Sequence, residues 1–169
     1  MKKQKLYTKK LITPVGLLLA MATDNAICLL EFMHNDHWLH SKSQVMQYLN
    51  GTDNQKDTPL LLQLEEQLKA YFAKELQSFS LPLILSGTPF QKEVWNYLLT
   101  IPYGETRSYK QQAEAIDKPQ SFRAVANANG KNHISILIPC HRVISSDGSL
   151  AGYGGGITRK EFLLNLEKN

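Results

Sequence analysis

Cysteine is nearly missing from this chain of 169 residues: there are two, Cys28 and Cys140, in no Cys-x-x-Cys or paired Cys/His spacing. That excludes a disulfide framework and leaves no case for zinc or another metal. Charge is also sparing. Nineteen basic against fifteen acidic side chains give a net charge of +4, which permits an anionic partner without requiring one. Long apolar runs are lacking too: none approaches a membrane span, so no membrane partner is expected. The apolar stretch after Met1-Lys-Lys-Gln-Lys5 ends in Ala20-Met-Ala22 and has the outline of an export signal. Lys9 and Lys10 push the basic segment deep into it, however, and Pro14 and Gly16 interrupt it. The expected location is cytoplasmic. An apolar fraction of 43% remains ample for a core in one domain or two small ones.

Against this background one stretch carries chemistry. Pro139-Cys-His-Arg-Val143 sets a thiol beside an imidazole and a guanidinium at the end of the apolar run 134–138. Cysteine reacts as thiolate, and such neighbours raise the thiolate fraction at neutral pH. Cys140 therefore reads as a nucleophile, whereas Cys28, within Ala26-Ile-Cys-Leu-Leu30, reads as a small buried hydrophobe.

The chain around these residues changes character midway. Residues 17–22 and 26–32 flank Thr23-Asp-Asn25 as two strands around a turn. Thr58 and Pro59 start a helix with Leu61, Leu64, Leu68 and Phe72 on its apolar face, and 78–85 is expected to be a linker. The second half is expected to be helical. Thr88-Pro-Phe-Gln91 is a capping box, followed by a stripe of Phe90, Val94, Leu98 and Leu99. Ser108-Tyr-Lys-Gln111 opens a short helix to about Ile116, Asp117-Lys-Pro119 turns the chain, and a helix from about Gln120 ends at Gly130. This pair is a helix-turn-helix candidate. Ala124, Ala126 and Ala128 would give its second helix one flat face beside Arg123. Gly152-Tyr-Gly-Gly-Gly156 suggests backbone passing close to a ligand, and Thr158-Arg-Lys-Glu161 reads as a third capping box, before Phe162, Leu163 and Leu166 on an inward face.

Gly87-Thr-Pro-Phe-Gln91, Val94-Trp95, Ile101-Pro-Tyr-Gly104, Ser108-Tyr109, Arg123-Ala-Val125, Asn129-Gly130, Asn132, Ile138-Pro-Cys-His-Arg-Val-Ile144, Gly152-Tyr153, Gly155-Gly156 and Leu163-Leu164 occur in order. Together they resemble the O6-alkylguanine-DNA alkyltransferases, or methylated-DNA–protein-cysteine methyltransferases, over residues 87–167. The resemblance implies a variable α/β N-terminal domain, residues 1–80, and a mainly α, winged-helix-like catalytic domain, residues 86–169, with a helix-turn-helix. The first half holds no cluster of chemical residues, so its expected role is scaffolding. It implies transfer of an alkyl group from O6 of guanine, or O4 of thymine, in double-stranded DNA to Cys140, once per molecule and without a cofactor. The protein would act as a monomer, with cooperativity on DNA left open.

By the same resemblance His141 matches the base acting through a water, and Glu167 the carboxylate that orients it. Tyr109 matches the residue that assists base rotation and donates to the leaving guanine, and Asn132 the brace between the two motifs. Arg123 matches the finger that replaces the flipped base, on a helix that includes Ser121 and Ala124 and enters the minor groove. Tyr153, Gly154, Gly155 and the carbonyls of Cys140 and Val143 would line the base pocket. Arg142 finds no catalytic part and is expected to make structural hydrogen bonds. Several positions depart from the family: His133 for a proline, Gln112 for a leucine, Asp117 for a glycine, Ser121 for an alanine, and Gly154 for a serine. None removes a catalytic group. A non-catalytic lesion-binding relative would carry tryptophan at 140. A hydrolase would seldom place its histidine next to its cysteine, and a plain DNA-binding regulator would leave 139–143 without purpose.

Overall fold

The computed structural model describes residues 2–150 and 152–168. The chain forms two compact units, Met1–Ser86 and Gly87–Asn169. In the first, strands β1 (Gln4–Thr13), β2 (Gly16–Ala22) and β3 (Ile27–Phe32) run antiparallel, and β4 (Gly51–Gln55) adds parallel to β1, giving the order β3-β2-β1-β4. Gly16, at φ 108°, takes the left-handed conformation at the first turn. Thr23 Oγ1 accepts from the N–H groups of Asn25 and Ala26 at the second.

The lysine-rich start is thus an inner strand. It buries Leu6 and Leu11 while Lys5 and Lys10 stay exposed. Helices α1 (His37–Leu49) and α2 (Pro59–Phe72) complete the unit. Thr58 caps α2 as expected, and Leu61, Leu64 and Leu68 are buried, but Tyr71 rather than Phe72 completes the stripe. Cys28 sits among Leu6, Leu19, Met21, Leu29 and Val45, and burial pushes its thiol up to about 12.

The expected linker is not loose. The Ile27 N–H donates to Pro82 O at 2.8 Å, the Ile84 N–H returns to Ile27 O at 2.9 Å, and Ile84 packs on the core. Residues 82–84 therefore extend along β3 as a short parallel bridge.

In the second unit, α3 (Pro89–Leu98) has both bonds of its capping box. Its buried stripe is Val94, Trp95 and Leu98, whereas Leu99 is 44% exposed. Trp95 displaces the expected residues because its indole N–H reaches Ala128 O at 2.8 Å, locking α3 to α5. The capping box at Ser108 opens α4 (Tyr109–Ala115), Asp117 turns the chain at φ 58°, and α5 (Phe122–Gly130) follows. Gly130 is the last helical residue, not the residue beyond it. The alanines do not share one face: Ala124 is exposed, and Ala128 is buried beside Val125 and Asn129.

Gln112 and Asn129 exchange two side-chain hydrogen bonds, of 2.9 and 2.7 Å, between α4 and α5. Strand β5 (Arg107–Ser108) pairs in parallel with β6 (Val143–Ile144), straight after a 3₁₀ turn at Cys140–Arg142. The last helix, α6 (Ile157–Glu167), starts one residue before Thr158, from Gly156 at φ 91°, with no side-chain cap. Leu163 is buried, but Phe162 is 41% exposed.

Candidate active site

The 3₁₀ turn delivers three consecutive side chains into the protein. Cys140 is 8% exposed, His141 is fully buried and Arg142 nearly so. Asn132 braces the turn from the far side of the apolar run. Its Nδ2 donates to Ile138 O at 2.8 Å and lies 3.3 Å from Cys140 Sγ, and its Oδ1 accepts from the Ile134 N–H at 2.9 Å. An amide donor on the sulfur favours thiolate over thiol.

His141 Nε2 meets Glu167 Oε2 at 2.7 Å. Burial raises the Glu167 pKa, but hydrogen bonds and charge from His141 and Arg142 outweigh it and hold the carboxyl at about 2. Glu167 is therefore an acceptor, and the shared proton sits on Nε2. That leaves Nδ1 with its lone pair. Nδ1 is buried and makes no hydrogen bond among the described residues. Burial also lowers the His141 pKa, against the pull of Glu167, so the imidazole is neutral near pH 7. A neutral imidazole with its tautomer fixed by a carboxylate is a general base in waiting.

Arg142 fixes the carboxylate. Its Nε donates to Oε1 at 2.8 Å, one terminal nitrogen to Oε2 at 3.1 Å, and the other to Ile101 O at 2.7 Å. A two-pronged fork of this kind sets position as well as charge. The Gly104 N–H adds a longer contact of 3.4 Å to Oε1.

On the other side of the thiol, the Tyr109 hydroxyl donates to Gly152 O at 3.3 Å. Burial first, and then the charge of Cys140, raise the Tyr109 pKa, so it keeps its proton. Lys160 is fully buried, with Nζ donating to Val143 O at 2.6 Å and to Gly152 O at 3.4 Å, and 5.8 Å from the Tyr109 ring centre. Burial lowers its pKa to about 8, opposed by the Cys140 charge. One cation thereby ties β6 to the glycine-rich loop.

Family models account for nearly the whole chain. The ribonuclease-like domain of 6-O-methylguanine DNA methyltransferase matches residues 6–85, and its DNA-binding domain matches residues 89–169. The chain belongs to the 6-O-methylguanine DNA methyltransferase family. A methylated-DNA–protein-cysteine methyltransferase of Methanosarcina barkeri is 43% identical over 164 residues, 97% of this chain and 98% of the relative. The constitutive one of Bacillus subtilis is 44% identical over 157 residues, 92% of each. Among solved structures, Mycobacterium tuberculosis OGT in complex with DNA superposes with a TM-score of 0.81 at 42% identity, covering 97% of this chain and 92% of that one.

Of the residues singled out in this methyltransferase, Cys140, His141, Glu167 and Asn132 fall into one hydrogen-bonded cluster around the 3₁₀ turn. Tyr109 joins the glycine-rich loop through Gly152, and Val143 joins it through Lys160. Tyr153 is half-buried, Gly155 is buried and Gly154 is exposed. Arg123 and Ala124 stand apart on the exposed side of α5, behind the half-buried Ser121. Sequence reasoning missed Lys160. Its spacing held the signal: Lys160, Leu163 and Glu167 recur at three and seven residues on one face of α6, and all three are buried.

Proposed function

We propose that the chain repairs DNA directly, moving the alkyl group of O6-alkylguanine in double-stranded DNA onto its own Cys140. The observation that carries this reading is the site's relay: a thiol held by Asn132, and a neutral His141 whose Nε2 proton is committed to Glu167. In the reaction, Cys140 gives its proton through a water to His141 Nδ1. The thiolate attacks the alkyl carbon, the S–C bond forms and the C–O6 bond breaks. The electron pair goes to the guanine ring, where the Tyr109 hydroxyl donates a hydrogen bond to the developing anion, and the proton taken up by His141 is returned through water to give the neutral lactam. O4-alkylthymine offers the same leaving oxygen and is a second lesion for the same site. The thioether product does not hydrolyse, so each molecule reacts once.

The lesion has to leave the base stack to reach a thiol this buried, at a cost of about a few kcal/mol. Arg123, exposed on α5, is suited to replace it in the duplex, entering from the minor groove. The carbonyls of Val143 and Cys140 face the extruded base, and Tyr153 closes over it.

The test is a mass measurement. After incubation with duplex DNA containing O6-methylguanine, the peptide holding Cys140 gains one methyl group and no other peptide does. An unmodified Cys140, or methyl found elsewhere, would overturn the reading.

A further inference from the structure

Phe122 opens α5 and is 48% exposed. It precedes the buried Val125 by three residues and the buried Asn129 by seven, so helical spacing alone would turn it inward. Instead about half of the residue is open to solvent, on an exposed first turn that also carries Arg123, whose guanidinium carbon lies 6.0 Å from the ring centre. Around the pair, α5 contains no acidic residue, and the neighbouring exposed positions are the small Ala124 and the polar Asn127. Packing does not account for this ring. An aromatic face with a cation at its side and little bulk around it suits one kind of surface, a base stack flanked by phosphates.

We infer that Phe122 is a stacking wedge: its ring covers the face of a base next to the lesion while Arg123 fills the gap that the extruded nucleotide leaves. The inference rests on the repair reading above, in which α5 meets damaged duplex. The two side chains divide the work by chemistry. A guanidinium can replace lost base-pair hydrogen bonds but covers little π-surface; a phenyl ring does the opposite. Apolar wedges in the minor groove unstack base steps in this way. The ring's exposure then belongs to the unbound protein alone, and contact with DNA removes it from water.

The experiment uses the full chain, with Phe122→Ala and Phe122→Trp, on duplex DNA bearing O6-methylguanine next to 2-aminopurine, whose fluorescence falls when it stacks. Phe122→Ala is expected to bind this duplex roughly 5- to 150-fold more weakly, the range of one base–aromatic contact. It should lower the ratio of the transfer rate on duplex to that on free O6-methylguanine, and leave a brighter 2-aminopurine in the complex. Phe122→Trp should restore all three. The salt dependence of binding should keep its slope, because no phosphate contact is lost. Binding and rate ratio indistinguishable from wild type would overturn the wedge; so would equal losses on duplex and free base, or a changed salt slope. Wild-type protein that methylates Cys140 from neither substrate would instead remove the repair reading itself.

Discussion

Glu167 lies 1% exposed between an imidazole and a guanidinium, and its ionisation is expected to shape the acid limit of the protein. Its carboxyl is held at about 2, against 4.5 for an unperturbed glutamate. A depressed carboxylate contributes stability above the unfolded value, and that stability drains away as pH falls through the folded value. The window therefore runs from about pH 4.5 down to about pH 2, and the contribution is on the order of 3 kcal/mol. Glu167→Gln should flatten this acid limb. It should also destabilise the protein near pH 7 by about 3–5 kcal/mol, since Arg142 would keep a buried charge without its partner. Urea unfolding of both proteins between pH 2 and pH 7 measures each effect; equal acid limbs would show that Glu167 is not the group responsible.

At the scale of elements, the hinge of the helix-turn-helix is a polar contact inside an apolar seam. Gln112 is fully buried, and its amide is matched by that of Asn129. Gln112→Leu removes one partner and leaves the other without its hydrogen bonds, which costs about 1–3 kcal/mol. Replacing both residues, as Gln112→Leu with Asn129→Ala, should cost less than the two single changes together, because no orphaned amide remains. Thermal unfolding of the four proteins in a double-mutant cycle checks this; strict additivity would mean that the amides do not couple α4 to α5.

The elements that were legible in the sequence share a chemical cause. Thr58, Thr88 and Ser108 each announce a helix with a side-chain oxygen that is indeed bonded in the structure. Thr158 carries the same pattern without effect, since Gly156 has already turned the chain into α6. Strand β1 was hidden by its lysines, which an inner strand tolerates when they reach solvent across the sheet face. Helix α1 was hidden because only Ser41 and Val45 are buried on it, too thin a stripe to read by period. The thiol cluster was legible through Pro139–Val143 and its family resemblance. The spacing of Lys160, Leu163 and Glu167 marked Lys160 as inward-facing, but its partner Val143 and the grip of Arg142 on Glu167 lie 17 and 25 residues away, beyond the reach of any local pattern.

Across the whole molecule, the two cysteines sit in separate units and make opposite demands on their surroundings. Cys28 is 0% exposed among aliphatic side chains, and its thiol is pushed up to about 12. Its thiolate fraction at pH 8 is therefore on the order of one in ten thousand, and a reagent can reach it only once the first unit has opened. Cys140, 8% exposed and hydrogen-bonded by Asn132, needs no such opening. A small alkylating agent such as iodoacetamide should thus modify Cys140 in the folded protein and spare Cys28. With added urea, Cys28 labelling should rise along the unfolding curve while Cys140 labelling has already gone to completion. Peptide mass spectra at each urea concentration separate the two. Prior methylation by O6-methylguanine DNA should abolish the fast reaction and leave the slow one untouched. Equal reactivity of the two thiols without denaturant would mean that the core around Cys28 opens as readily as the pocket around Cys140, and that the first unit lacks the stability its buried sheet implies.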